Sequence, residues 1–219
     1  MSKENLWIVI PAYNEAKRIK DVILKCRRFG SVVVVDDGSR DNTYEIAEGC
    51  NVEVLKHIIN LGKGAAMVTG ADFSLKHGAK EIVFIDSDGQ HDPKEIPKLV
   101  KELDKSDIAF GTRDFDENMP AMMKFGNWAI SSAVKVLFGI ELKDTQCGFR
   151  AMTASAYQRI KWVSQDYSAE SEMIANAGKK HLKLSEVKIR TIYADAYKGT
   201  TVLHGLKIVK DMFWWRISR

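Results

Sequence analysis

Two aspartates one residue apart, Asp86 and Asp88, follow the apolar run Glu81-Ile82-Val83-Phe84-Ile85. They open the turn Asp86-Ser87-Asp88-Gly89-Gln90-His91-Asp92-Pro93. A short apolar run rich in β-branched residues reads as a buried strand. In open α/β sheets, ligands sit outside the carboxyl ends of such strands. Hard oxygen ligands in a flexible turn suit Mg2+ or Mn2+ holding a phosphate-bearing substrate. A calcium loop of the EF-hand type is excluded. It needs Gly at its sixth place and Glu at its twelfth, where this chain has His91 and Pro97.

Three further loops carry similar chemistry. Pro11-Ala12-Tyr13-Asn14-Glu15 and Asp36-Asp37-Gly38-Ser39 each close an apolar run. Asn60-Leu61-Gly62-Lys63-Gly64 precedes a helical pattern, where glycines allow backbone N–H groups to approach an anion and Lys63 adds charge. It lacks the Walker spacing, and the first strand lacks the spaced glycines of a dinucleotide fingerprint. Four such loops on successive crossover units indicate a nucleotide site.

The elements that position these loops alternate. Strands are expected over Leu6–Ile10, Val32–Val35, Val52–Leu55, Glu81–Ile85 and Ile108–Gly111. Ile19, Val22, Ile23 and Cys26 repeat at helical spacing. Asp41 or Thr43 caps a short helix that ends at Gly49. Further helices run from about Gly64 to His77 and from Pro93 to about Asp104. The expectation is an α/β fold with a mainly parallel, twisted sheet covered by helices on both faces and a Rossmann-like nucleotide-binding half. After Gly111, Ala129, Ile130, Ala133, Val134, Leu137 and Phe138 form a helical stripe. A strand near Phe149–Met152, helices at Ala154–Ile160 and Ala169–Ala177, and a strand within Leu184–Tyr193 follow. Residues 1–200 are expected to be one catalytic domain, with its nucleotide-binding half over about 1–112 and its acceptor half over about 113–200.

Composition narrows the class. At 219 residues the chain can bury a substantial core. A net charge of +4 is too mild to argue for nucleic acid. Cys26, Cys50 and Cys147 are odd in number and widely spaced, as expected of reduced thiols in the cytoplasm. No apolar run approaches the roughly 18 residues of a spanning helix. No secretory signal is visible in the polar start, Met1 to Asn5.

Five ordered motifs carry a resemblance. They are Val9-Ile10-Pro11-Ala12-Tyr13-Asn14-Glu15, Val35-Asp36-Asp37-Gly38-Ser39, Leu61-Gly62-Lys63-Gly64, Asp86-Ser87-Asp88-Gly89-Gln90 and Asp144-Thr145-Gln146-Cys147-Gly148-Phe149-Arg150. The chain resembles the family 2 inverting glycosyltransferases of GT-A fold, and most of all the polyprenyl- and dolichyl-phosphate mannosyl- and glucosyltransferases. The resemblance covers roughly Leu6 to Tyr193. It implies transfer of mannose or glucose from a GDP- or UDP-sugar to dolichyl or polyprenyl phosphate. Alternatives are transfer to a saccharide or other hydroxyl, and a non-catalytic sugar-nucleotide-binding module.

Residue by residue, the resemblance implies that Pro11, Tyr13 and Glu15 line the base and ribose pocket and Asp37 contacts the base. Gly62 and Lys63 would lie beside the nucleotide, and Asp86, Asp88 and Gln90 would gather around Mg2+ or Mn2+. Arg113 would meet donor or acceptor phosphates, and Asp144 would act at the reacting sugar as a base or as a positioning group. Arg150, Glu170, Glu172 and Lys198 would face the acceptor. Cys147 has no His placed beside it, so a packed thiol is expected there.

The tail over 201–219 combines an apolar helical stripe (Val202, Leu206, Val209, Phe213, widened by Ile208, Met212 and Trp215) with Lys207, Lys210, Arg216 and Arg219. Paired tryptophans beside cations suit a helix lying on a membrane surface, or one docked on protein. The expected location is the cytoplasm, peripherally on the cytoplasmic face of a membrane.

Overall fold

The computed structural model describes residues 5–113, 121–166, 168–190, 192 and 210–216, and only the backbone over 121–125. Seven strands form one sheet: β1 (Leu6–Ala12), β2 (Ser31–Asp36), β3 (Glu53–Lys56), β4 (Glu81–Phe84), β5 (Ile108–Thr112), β6 (Arg150–Thr153) and β7 (Leu184–Lys188). Their order is β3-β2-β1-β4-β6-β5-β7. β1 pairs in parallel with β2 and β4, β2 with β3, and β5 with β7. β6 runs antiparallel between β4 and β5. Each of these strands lies within a residue or two of its expected start. The last one stops at Lys188, well short of Tyr193.

All seven residues of β1 are buried, as expected of a parallel strand covered on both faces. Alternate side chains serve two cores. Ile8 and Ile10 pack with Ile19, Ile23 and Leu99, and Trp7 and Val9 pack with Met67, Phe84 and Phe110. Each such burial contributes roughly 1.5–3 kcal/mol. On the first face lie α1 (Ile19–Cys26), α2 (Thr43–Glu48) and α4 (Ile96–Glu102), the last entered through a 3-10 turn over Pro93–Glu95. The opposite core receives α3 (Lys63–Lys76), α5 (Ala121–Phe138), α6 (Ala154–Ile160) and α7 (Ser168–Lys179). β1 connects to β2 on one side, and β4 lies on its other side, so strand order reverses there and opens a crevice at the carboxyl ends.

The segment over 210–216 is helical. Met212 and Trp215 enter the core beside α5 and α7, and Lys179 donates a hydrogen bond to the Trp215 carbonyl. Phe213 and Trp214 face outward, 54% and 68% exposed. This corrects the expected stripe, because Phe213 and Met212 face opposite ways. Residues 201–209 and 217–219, and Lys198, lie outside the described residues. Among the described residues no helix is long and apolar enough to cross a membrane.

Candidate active site

A cavity of about 440 Å3 opens at the switch point. It is lined by Pro11, Tyr13, Glu15, Asp37, Gly62, Lys63, Asp86 and Asp88, all expected from sequence, together with Ala12, Asn60, Ala66, Ser87 and Asp166. Asp166 went unrecognised in the sequence. Its Oδ1 accepts from the Ser168 N–H at the start of α7, so a capping signal marked it.

The carboxylate pair is asymmetric. Lys63 Nζ lies 2.7 Å from Asp86 Oδ1 and 2.9 Å from Glu170 Oε1. Burial disfavours the Asp86 anion, but the Lys63 ammonium and His91 together outweigh it and hold this carboxyl well below the usual range. Burial likewise disfavours the Lys63 cation. The Asp86 and Glu170 charges overcome that and raise its pKa above the ordinary lysine value. Asp88 shifts the other way, raised first by burial and then by the Asp86 charge. Its Oδ1 accepts from the Gln90 N–H at 2.9 Å.

Asp86 is also closely backed by the chain. A Cβ on Gly148 would lie 2.3 Å from Asp86 Oδ2, so only glycine lets the turn before β6 approach this carboxylate.

The Gly62–Gly64 loop differs from the expected anion cradle. The N–H groups of Leu61 and Gly62 donate to Asp37 Oδ1 and Oδ2 at 2.9 and 2.8 Å. The Gly64 N–H donates to the Gln165 carbonyl at 2.7 Å. These donors face protein acceptors: Asp37 takes the first two and the loop between α6 and α7 takes the third. Asp37 also meets His57 Nδ1 at 2.7 Å. Its carboxylate therefore works as a clamp on this loop at the cavity wall.

Asp144 is completely buried, and both of its oxygens are occupied. Oδ2 accepts from the Arg113 N–H and Nε, while Oδ1 accepts from Arg113 Nη2 and the Gln146 N–H. Neither Arg113 nor Asp144 lines the cavity.

The Gln90 carbonyl also accepts from the Ile192 N–H. Burial, then the Asp144 charge, pushes the Cys147 thiol up to about 12, which leaves it inert at neutral pH.

Three residues expected to face the acceptor are buried. Arg150 is fully buried, donating to the Cys147 carbonyl and Met173 Sδ beside the Phe110 ring. Glu170 is 4% exposed and pairs with Lys63. Glu172 is 1% exposed and accepts from Ser164 and Val163. Each is paired inside the protein, Glu170 with an ammonium that lines the cavity.

Among known proteins, the model of glycosyl transferase family 2 matches residues 7–161. The chain belongs to glycosyltransferase family 2. This glycosyltransferase is 34% identical, over 100% of its length and 99% of the relative's, to the UDP-N-acetylglucosamine--dolichyl-phosphate N-acetylglucosaminyltransferase of Methanococcus voltae. It is 28% identical to the undecaprenyl-phosphate mannosyltransferase of Micrococcus luteus, over 83% of this chain and 81% of that one. Its fold matches glucosyl-3-phosphoglycerate synthase of Mycobacterium tuberculosis, solved with Mn2+, UDP and phosphoglyceric acid. The TM-score is 0.75 at 16% identity, covering 98% of this chain and 79% of the other. Its fold is the GT-A fold.

Proposed function

We propose that this glycosyltransferase carries one hexosyl or N-acetylhexosaminyl residue, with inversion, from a nucleoside diphosphate sugar to a polyprenyl phosphate such as dolichyl phosphate. The observation that carries the reading is the charge of the cavity. Among the described residues, Glu15, Asp37, Asp86, Asp88 and Asp166 line it against the single ammonium of Lys63. A diphosphate enters such a place only with a cation, because like charges at close range repel strongly in a partly buried site.

The residues present fit Mg2+ or Mn2+. Asp88 faces the cavity as an anion disfavoured by burial and by Asp86, and a divalent ion relieves that cost. Among the described residues no three His, Cys, Asp and Glu side chains converge on one point. Asp88, with Asp86 and Gln90 in the same turn, would hold such an ion. Bound there, an ion would supply the positive charge that a departing diphosphate needs.

The remaining work falls to this chain's own side chains. Lys63 orients Asp86 and adds positive charge next to the diphosphate. Pro11, Tyr13, Glu15, Asn60 and Asp166 shape the nucleoside end of the cavity. Arg113, held by Asp144, supplies a fixed guanidinium on the acceptor side. A phosphate acceptor is ionised near neutral pH, so alignment and charge stabilisation replace a base. Asp144 is read as a positioning group on that ground.

The relatives named above act on dolichyl and undecaprenyl phosphate, which supports a lipid phosphate acceptor. Phe213 and Trp214, exposed on the 210–216 helix, are inferred to rest on the cytoplasmic face of the membrane that holds it. The test is incubation with labelled UDP-N-acetylglucosamine, UDP-glucose or GDP-mannose, dolichyl phosphate and Mn2+. Label moving into chloroform supports the reading. Label transferred only to water-soluble saccharides would replace the lipid acceptor with a hydroxyl one.

A further inference from the structure

Helix α7 opens with two buried carboxylates, Glu170 and Glu172, which two residues of helix turn to different sides. Glu170 meets the Lys63 ammonium. Glu172, which is not among the residues lining the cavity, turns to the loop between α6 and α7. Its Oε2 accepts from the Val163 N–H at 3.2 Å, the Ser164 N–H at 2.8 Å and the Ser164 hydroxyl at 2.5 Å. The next residue in that loop, Gln165, accepts from the Gly64 N–H, and Trp162 Nε1 donates to the Gly64 carbonyl at 3.0 Å. A Cβ on Gly64 would lie 2.2 Å from the Ser164 carbonyl oxygen, so the two backbones touch with no side chain between them.

We propose that Glu172 is a positioning residue for the donor site. It acts through the loop over 161–166 on the Gly62–Gly64 segment, and so on the Lys63 ammonium that orients Asp86. The inference deepens the reading of the cavity as a nucleoside diphosphate site and rests on it.

The physical route is short. Charge-assisted hydrogen bonds from two successive N–H groups and a hydroxyl hold the loop in one geometry. The loop then fixes Gly64 from both its N–H and its carbonyl. Bare backbone contact transmits any shift of the loop directly to Lys63, one residue away. Misplacement by about 1 Å at a reacting centre costs on the order of 100-fold in rate, so a remote latch of this kind has leverage over the chemistry.

The experiment uses the full chain and calorimetric titration with UDP and with GDP, each in the presence of Mn2+. Wild-type protein binding neither nucleotide would remove the donor-site reading itself. Given wild-type binding, Glu172→Gln is expected to weaken it about tenfold, and the milder Ser164→Ala about threefold, for loss of charge-assisted hydrogen bonds. Leu99→Val, a core truncation on the other face of the sheet, serves as the stability control. It lowers Tm while leaving Kd within about twofold, since distant sites act independently. Hydrogen–deuterium exchange over residues 60–66 rises in Glu172→Gln and stays unchanged in Leu99→Val. Folded Glu172→Gln with wild-type Kd and wild-type exchange in that segment overturns the proposal. Weakening of equal size in Leu99→Val overturns it too, because the effect is then one of general stability. Should Glu172→Gln not fold, Ser164→Ala decides by the same two measurements.

Discussion

Arg113 and Asp144 meet in a two-pronged ion pair, Nε to Oδ2 at 2.7 Å and Nη2 to Oδ1 at 3.0 Å. With Asp144 at 0% exposure, either charge alone would be left in a poorly solvated place. The pair therefore acts as a unit. Asp144→Asn and Arg113→Ala are expected to lower turnover to a similar degree, with the double variant little worse than either and a coupling energy of about 2 kcal/mol. Steady-state rates of the four proteins make the comparison. A loss in Asp144→Asn far beyond that in Arg113→Ala would restore Asp144 as a base.

The Lys63–Asp86 contact makes a prediction about pH. Asp86 has its pKa depressed in the folded protein, so its contribution to stability is present above the unfolded value of about 4 and is lost as pH falls through the lower folded value. Lys63→Met removes the main cause of the depression and leaves Asp86 and Glu170 without their cation. At pH 7 this variant is expected to lose about 2 kcal/mol. The gap to wild type should narrow toward pH 4, where the unpaired carboxyls take up protons. Thermal unfolding across that range measures it, and a gap that widens on acidification contradicts the assignment.

Asp88 and Asp86 should respond differently to metal. Asp86 already has an ammonium partner, whereas Asp88 is the anion that burial and a like charge disfavour. Chelation with EDTA is expected to abolish transfer, and Mn2+ to restore it. Asp88→Asn should raise the Mn2+ concentration needed for half-maximal rate by at least about tenfold, the cost of losing a hard anionic ligand. Unaltered metal dependence in Asp88→Asn refutes the placement of the ion.

Gly148→Ala tests close approach. The new Cβ meets the Asp86 carboxylate at 2.3 Å, so Asp86 or the turn must move. Overpacking of this kind costs about 1–3 kcal/mol, and here the displaced group is one proposed to hold the metal. Turnover is expected to fall at least about 100-fold while the protein stays folded by circular dichroism. Wild-type kinetics in this variant would show that Asp86 tolerates displacement.

The two neighbouring tryptophans of the tail should separate cleanly. Trp215 is 7% exposed within the core, so Trp215→Ser is expected to destabilise by about 3–5 kcal/mol. Trp214→Ser should change stability by less than about 0.5 kcal/mol yet reduce flotation with anionic liposomes. Flotation equal to wild type would take Trp214 out of the membrane contact.

Much of this protein was legible in its sequence. Apolar runs such as Val32 to Val35 and Ile82 to Ile85 read as buried strands, and one-sided patterns such as Ile19, Val22, Ile23 and Cys26 as helices, because periodicity reports which faces are buried. Alternation of the two then brings strand exits to one edge, so Pro11, Asp37 and Asp86 had to meet there. The partners of the charges were not legible. Asp37 clamps Gly62 at a separation of 25 residues, and Arg113 closes on Asp144 across 31. Nothing local marks Glu172 as a latch on Ser164 while Glu170 holds Lys63, or Trp215 as buried while Trp214 is exposed. A side chain's type states that it can pair; which partner it finds depends on the loops that pack over it and on the cost of leaving either group buried alone. Sequence by itself determined the class of fold and the edge where chemistry occurs. Tertiary structure decided which carboxylates face the cavity and which ones hold it in shape.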